Sequence, residues 1–327
     1  MNEHAITSRG YINIDKIKNF LIDYALYIVF AILILYFSIK NPAFLAINNA
    51  ITILQMASTL GIVVVGMFFV LITGGIDISV ASNMYFSAVI SSILLNTYKI
   101  PIALCFLISI LAGSLIGAIN GLCIARFKMV PFITTLATMS IARGLGLLFS
   151  NQKLIVLDQS GFEVSNTRIF GVPLVAYFFI ATVLIGHLVL SRTQFGRQLY
   201  ACGNNLAGAK KIGINGAKIV FIAYLICGAT AGLAGMVNAC NLASINQNFA
   251  INDEFVVISS SVVGGASLFG GKGKVLPGAM IGIIMIQVIL NGLTLIQASP
   301  YVYQVVRGII IFIAVMMDSI KYSGEIR

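Results

Sequence analysis

The chain has no tryptophan, two histidines and, among its 327 residues, only 9% charged side chains. A water-soluble domain usually carries about a quarter of its residues as charges. With 59% apolar residues and a mean hydropathy of +1.01, this chain is excluded from that class. Enzyme chemistry also lacks its parts. His4 and His187 are the only imidazoles, and there is no HExxH pattern, no GxSxG elbow and no GxxxxGK[ST] phosphate loop. The run Gly270-Gly271-Lys272-Gly273-Lys274 resembles a phosphate cradle but follows no strand, and it reads as a turn between apolar segments. The net charge of +10 is not a nucleic-acid footprint, because the cations sit at the ends of hydrophobic runs.

What is present is a succession of apolar runs of membrane-crossing length. They fall at Phe20–Ile39, Ile51–Ile72, Ser79–Leu95, Ile100–Ile124, Phe132–Phe149, Val172–Leu190, Ile219–Leu242, Phe255–Leu268, Val275–Ile296 and Tyr301–Met317. The expected fold is an all-α, polytopic membrane bundle of about ten helices, with interfacial anchoring left to Tyr and Phe. The segment before Phe20 is polar and does not read as a signal peptide, so the first span is expected to be retained. With the N-terminus inside, fourteen cations are cytoplasmic: Arg9, Lys16, Lys18, Arg126, Lys128, Arg192, Arg197, Lys210, Lys211, Lys218, Lys272, Lys274, Lys321 and Arg327. Four are outside: Lys40, Lys99, Lys153 and Arg168. That asymmetry puts both termini in the cytoplasm. The outer loops then hold Asp158, Glu163, Asp253 and Glu254. The organisation is a cytoplasmic tail at 1–19, one transmembrane domain at 20–318 and a second tail at 319–327. Cys105, Cys123, Cys202, Cys227 and Cys240 show no metal-ligand spacing and read as small hydrophobes.

Four features stand out from the apolar background. The loop at 191–218 is basic and acid-free, and its small residues from Asn205 to Ile212 suggest a short surface helix closed by Gly213. It is either a docking element for a soluble partner or an ordinary solvated loop. The run Thr73-Gly74-Gly75-Ile76-Asp77-Ile78-Ser79 interrupts a hydrophobic stretch. Asp77 either caps a helix at the cytoplasmic surface or lies in a broken helix and lines a path, since a lone charge in lipid is costly. Arg143 and Arg307 fall inside spans, about 18 Å and 10 Å past Pro131 and Pro300 at 1.5 Å per residue. Both should face the bundle and be paired, with or without a transport role. A faint inverted repeat matches Gly74-Gly75, Asn120-Gly121-Leu122, Pro131 and Arg143-Gly144 to Gly264-Gly265, Asn291-Gly292-Leu293, Pro300 and Arg307-Gly308. Inverted halves are a transporter architecture, although small motifs also recur by chance in a glycine-rich chain.

From about Asn41 to Lys321 the chain resembles the permease subunits of bacterial ATP-binding-cassette importers for monosaccharides, the ribose, galactose, arabinose and xylose group. The resemblance is carried by Leu71 through Ser79, Pro131 through Met139, Phe195-Gly196-Arg197 through Gly203-Asn204-Asn205, Val263 through Leu268 with Gly270 through Gly273, and Pro300-Tyr301 through Gln304, Arg307 and Gly308. It implies a homodimer in the inner membrane with a path near its axis, a cytoplasmic ABC ATPase subunit and an extracytoplasmic sugar-binding protein. It implies no cofactor on this chain, with ATP and Mg on the partner. It also assigns ATPase coupling to the loop of Gly203, Asn204, Asn205, Ala207, Gly208, Ala209 and Gly213, where Asn205 replaces the family's usual acid. A path or gate is expected from Gly74, Gly75, Asp77, Asn83, Tyr85, Thr134, Thr135, Arg143, Asn238, Asn241 and Arg307, several of which serve equally well as interhelical hydrogen-bonding groups. Importers of branched-chain amino acids or nucleosides, a stand-alone ion-coupled carrier and a membrane enzyme are the alternatives.

Overall fold

The computed structural model describes residue 28 and residues 30–325. The first predicted span, the N-terminal tail and the end of the C-terminal tail lie partly or wholly outside these residues. The chain runs through α1 (Phe30–Lys40), a short 3-10 turn at Pro42–Leu45, α2 (Ile47–Ile72), α3 (Val80–Tyr98), α4 (Ile102–Ala125) and α5 (Pro131–Ser150). A small excursion follows, with β1 (Ile155–Val156), α6 (Gln159–Asn166), β2 (Arg168–Ile169) and β3 (Val172–Pro173). Then come α7 (Leu174–Arg192), α8 (Gln194–Asn204), α9 (Leu206–Lys211), α10 (Gly216–Leu242), β4 (Ser244–Ile245) and α11 (Asp253–Val263). A wide turn at Val275–Ala279 leads into α12 (Met280–Leu295), and α13 (Pro300–Glu325) closes the described chain. Among the described residues, six helices are long and apolar enough to cross a membrane: α2, α4, α5, α7, α10 and Val275–Leu295.

Glycine spacing explains how the bundle closes. Ser109, Gly113, Gly117 and Gly121 recur every four residues and form one stripe along α4. Gly228 and Gly232 form the matching stripe on α10. A methyl group on Gly113 or Gly117 would overlap the backbone of Gly228, Gly232 or Tyr224, so the two helices touch backbone to backbone. Small residues at four-residue spacing allow this approach in membranes, where apolar attraction between helices is weak. Asn83 of α3 donates to the Gly113 carbonyl at 3.1 Å and reaches that of Gly228 at 3.5 Å, which ties a third helix to the seam.

Two helices behave unlike ordinary spans. In α2 every residue from Ala57 to Ile72 is buried, so protein covers it on all sides over that stretch. The α3 helix buries Ser82, Asn83, Ser87, Ser91 and Ser92, shielded from lipid by its packing on α4, α5 and α10.

The predicted boundaries that fall among the described residues agree with the helices to within a few residues, except that α13 runs past Met317 to Glu325, and with one correction. The run Phe255–Leu268 is not a span. Its helix, α11, has 11 residues, about 16 Å, and stops at Val263. Gly264 cannot carry a side chain because it abuts the Gly278 carbonyl, and the chain turns there. The acids Asp253 and Glu254, expected in an outer loop, instead form the first turn of this short helix.

Candidate functional site: a glycine joint and a polar cavity

Three segments that are far apart in sequence meet at the C-terminal end of α2. Gly271 N–H donates to the Ile72 carbonyl at 2.8 Å. A methyl group on Gly203, near the end of α8, would collide with that same carbonyl and with Gly271 N. Gly74 and Gly270 lie against each other, with φ of 78° and 88°, in the left-handed region that glycine adopts without strain. The glycines of Thr73–Ser79, of Gly203-Asn204-Asn205 and of Gly270–Lys274 therefore form one joint. Tyr200 of α8 donates to the Gly273 carbonyl, and Asp318 of α13 accepts from Leu268 N at 2.8 Å and Ser267 Oγ at 3.2 Å.

Asp77 continues this joint into the helices. It is 1% exposed. Its Oδ1 accepts from Ser79 N at 2.9 Å and Ser79 Oγ at 2.6 Å, an Asx turn that leads into α3, whose N-cap is Ser79. Asn120 of α4 donates to Ser79 Oγ at 2.9 Å, and Thr138 of α5 donates to Asn120 Oδ1 at 2.7 Å. Ile78 N donates to Thr135 Oγ1 at 3.3 Å, while Tyr224 of α10 donates to the Ile76 carbonyl at 3.3 Å. Asp77 thus lies just ahead of α3, inside the bundle, within a nearly closed hydrogen-bond network that bolts α3, α4, α5 and α10 together.

Two helices, not one, occupy the basic loop. Thr193 caps α8 by accepting from Gly196 N at 3.2 Å. Asn205 caps α9 by accepting from Gly208 N at 2.9 Å, and Gly213 ends that region with φ of 83°. Ala209 is buried and fixes the helix to the body. Leu206 and Ile212 are 57% and 75% exposed beside Lys210 and Lys211. The amide at Asn205 therefore does local structural work.

The second region is a cavity of about 310 Å³ among α2, α10, α11, α12 and α13. Its polar lining is Thr52, Gln55, Thr59, Asn238, Asn241, Asp253, Gln287 and Arg307. Thr52 lies about 8 Å, and Thr59 about 18 Å, beyond the start of α2, so the cavity reaches about halfway along that helix. Below it α2 runs from Leu60 to Ile72 without a polar side chain until Thr73. Asn241 donates to Thr59 Oγ1 at 3.0 Å, yet Asn241 Oδ1, Gln287 Oε1 and Arg307 Nε have no hydrogen-bond partner. Asp253, at the N-terminus of α11, lies within electrostatic reach of Arg307 and Arg143. Arg143 donates to the Phe249 carbonyl at 2.8 Å and stacks 4.6 Å over the Tyr85 ring, which steadies the segment leading to Asp253.

The structure thus divides the residues expected in a path. Asn238, Asn241 and Arg307 line the cavity. Gly74, Gly75 and Asp77 belong to the joint, Asn83 to the α3–α4–α10 seam, and Thr135 to the network around Asp77. Thr134 donates to the Val130 carbonyl of its own helix, and Tyr85 meets Ser150 at 3.1 Å. The expected pairing of Arg143 and Arg307 with acids is corrected: among the described residues the one ion pair within 4 Å is Lys99–Asp158. Sequence reasoning missed Asp253, Gln55 and Gln287. The signal was there, as two adjacent acids in a chain with ten.

The chain is similar over most of its length to named import permeases. The ribose import permease protein RbsC of Haemophilus influenzae is 32% identical over 309 residues, covering 93% of this chain and 95% of that protein. RbsC of Bacillus subtilis is 35% identical over 293 residues, covering 89% and 90%. The galactose/methyl galactoside import permease protein MglC of Escherichia coli is 32% identical over 333 residues, covering 96% and 99%. No solved structure matches the chain. Residues 49–315, nearly the whole described bundle, match one family, and the chain belongs to it: the permease component of branched-chain amino acid transport systems.

Proposed function

We propose that this protein is the permease subunit of an ATP-driven importer and carries a monosaccharide handed to it by an extracytoplasmic binding protein. The observation that carries the reading is end-to-end likeness to relatives named as ribose and galactose permeases, at 31–35% identity for the ribose proteins. The family description names branched-chain amino acids, which keeps an amino-acid importer as the second reading. A stand-alone ion-coupled carrier finds less support, because Asp77 already accepts from Ser79 and, at 3.5 Å, from Asn120.

The end of the bundle that holds α8, α9 and the glycine joint is the cytoplasmic one in this reading. Arg126, Lys128, Arg192, Arg197, Lys210, Lys211, Lys218, Lys272 and Lys274 are at that end, against Lys40, Lys99, Lys153 and Arg168 at the other, as the positive-inside rule requires. Among the described residues, helices α1, α3 and α13 bring the six long apolar helices to nine, and α11 adds a short helix that stops partway. The inverted repeat has mixed support. Asn120 and Asn291 lie toward opposite ends, but the double glycines at Gly74 and Gly264 both close helices at the cytoplasmic end.

The coupling element is α9 together with its flanks, Gly203 through Gly213. Its exposed Leu206, Ala207 and Ile212 dock into the ATPase, which binds the ATP and Mg. Two copies of the permease form the transporter. The buried α2 leaves no channel through the middle of one protomer, so the route runs along its side, near the dimer axis.

A tagged permease drawn from detergent-solubilised membranes tests this reading. It should bring a P-loop ATPase whose turnover rises with sugar once the binding protein is added. Ala207→Arg should remove that ATPase while the permease remains folded and inserted. Recovery of the permease alone, transporting in vesicles without ATP, would refute the importer.

A further inference from the structure

The cavity has no assigned part in the reading above. We propose that it is a transit site for a single monosaccharide, with Asp253, Gln287, Asn241 and Arg307 as the groups that meet its hydroxyls. The class of solute rests on the importer reading, and the place rests on geometry.

Buried polar atoms in proteins nearly always have partners. Seven side-chain atoms among the described residues do not, and three of the seven belong to residues lining this one cavity. Asn241 Oδ1 and Gln287 Oε1 are acceptors, and Arg307 Nε is a donor. Such groups are expensive to leave unmade in a membrane protein unless something visits them. The Asp253 carboxylate adds a charged acceptor. It sits in the first turn of α11, where the helix dipole favours an anion.

This set suits a sugar. A hydroxyl donates and accepts at once, so a ring with several hydroxyls satisfies a wall of mixed carboxylate, amide and guanidinium groups. Met56, Leu60, Leu242 and Leu290 supply the apolar patches on which the C–H faces of a sugar ring rest. The volume is at the lower end of the roughly 300–1,000 Å³ usual for ligand pockets, which fits one small solute and not an oligosaccharide. The site is weak by design, since a conducting pathway must release what it takes. A zwitterionic amino acid is the competing occupant, with its ammonium at Asp253 and its carboxylate at Arg307. The amide-rich wall of Gln55, Asn238, Asn241 and Gln287 favours the neutral polyol.

The test uses the whole complex of permease, ATPase and binding protein in vesicles, with labelled ribose, galactose, arabinose and leucine as probes. Asp253→Asn should lower sugar uptake by about tenfold, as loss of a charge-assisted hydrogen bond does. ATP hydrolysis stimulated by the loaded binding protein should stay within about twofold of wild type, because that signal enters at α9. Gln287→Ala should change the ratio of ribose to galactose uptake by about threefold or more, a selectivity effect that a structural role would not give. If Asp253→Asn fails to fold, the Gln287→Ala ratio decides alone. The site is overturned if both variants carry every probe as wild type does, or if uptake and ATPase fall in parallel. Leucine uptake by wild type that is lost in Asp253→Asn also overturns it, in favour of the zwitterion. Wild type that carries leucine and no sugar defeats the importer reading itself, whereas normal sugar uptake with indifferent variants defeats only the site.

Discussion

The glycine joint and the cavity are both rich in polar groups, and they treat those groups in opposite ways. Around Asp77 the polar side chains are spent on one another: Ser79, Asn120, Thr138, Thr135 and Tyr224 all have partners within the protein. Around Arg307 they are left over, with Asn241, Gln287 and Arg307 each holding an unmatched atom. A satisfied network holds helices in register, while an unsatisfied one waits for a solute. The same residue types, asparagine, aspartate and threonine, do structural work at one end and face an open space at the other.

That contrast breaks most severely at Gly203. Gly203→Val forces a side chain into the Ile72 carbonyl and should cost about 3 kcal/mol, the upper end of ordinary overpacking, seen as a fall in melting temperature and in yield from the membrane. Asn120→Ala should come next. It strips Ser79 and Thr138 of their shared partner at a cost of about 2 kcal/mol. Transport should fall only as far as folded protein falls, and a loss per folded molecule would place Asn120 in the path after all. Asn205→Ala removes the cap of α9 for about 1 kcal/mol, and Asn205→Asp should restore it. The readout is ATPase recovered with the tagged permease. At the cavity, Gln287→Ala should change the melting temperature by no more than about 1 kcal/mol allows, because its Oε1 has no bond to lose. A large destabilisation there would erase the distinction between the two regions.

The smallest effect lies at the exposed pair Lys99–Asp158, 2.9 Å apart. The hydrogen bond from Lys99 holds the Asp158 carboxyl below its usual range. A depressed carboxyl stabilises the fold above its unfolded pKa of about 3.9, and that contribution is lost as pH falls through the lower folded value. Lys99→Ala should therefore lower the melting temperature by a small, constant amount from pH 8 to 5. The difference from wild type should close as pH falls below about 4.

Much of this was legible in the sequence. Hydropathy places the long helices, because in lipid the helix must satisfy its own backbone. Asn205 and Gly213 mark α9, because a cap and a left-handed stop are local chemistry. The joint was half legible: each glycine motif is visible, but nothing local says that Gly74, Gly203 and Gly270 touch. The cavity was the hardest to see. Asn238 and Arg307 read as intramembrane polar groups, whereas Asp253 reads as an outer-loop acid because Phe255–Leu268 has the hydropathy of a span. Helix length is set there by a backbone contact between Gly264 and Gly278, which no window of composition contains.

The shortness of α11 bears on how the protein is built. An 11-residue helix led by Asp253 and Glu254 reaches about half the thickness of a bilayer, so it cannot be delivered to lipid as a span in its own right. It enters only as one arm of a hairpin with α12, and its place against α2 must already exist when it does. Synthesis order provides for this, since α2 precedes α11 by some 180 residues. A ribosome-bound chain halted before α12 should therefore hold α11 outside the membrane, and completion of α12 should draw it in.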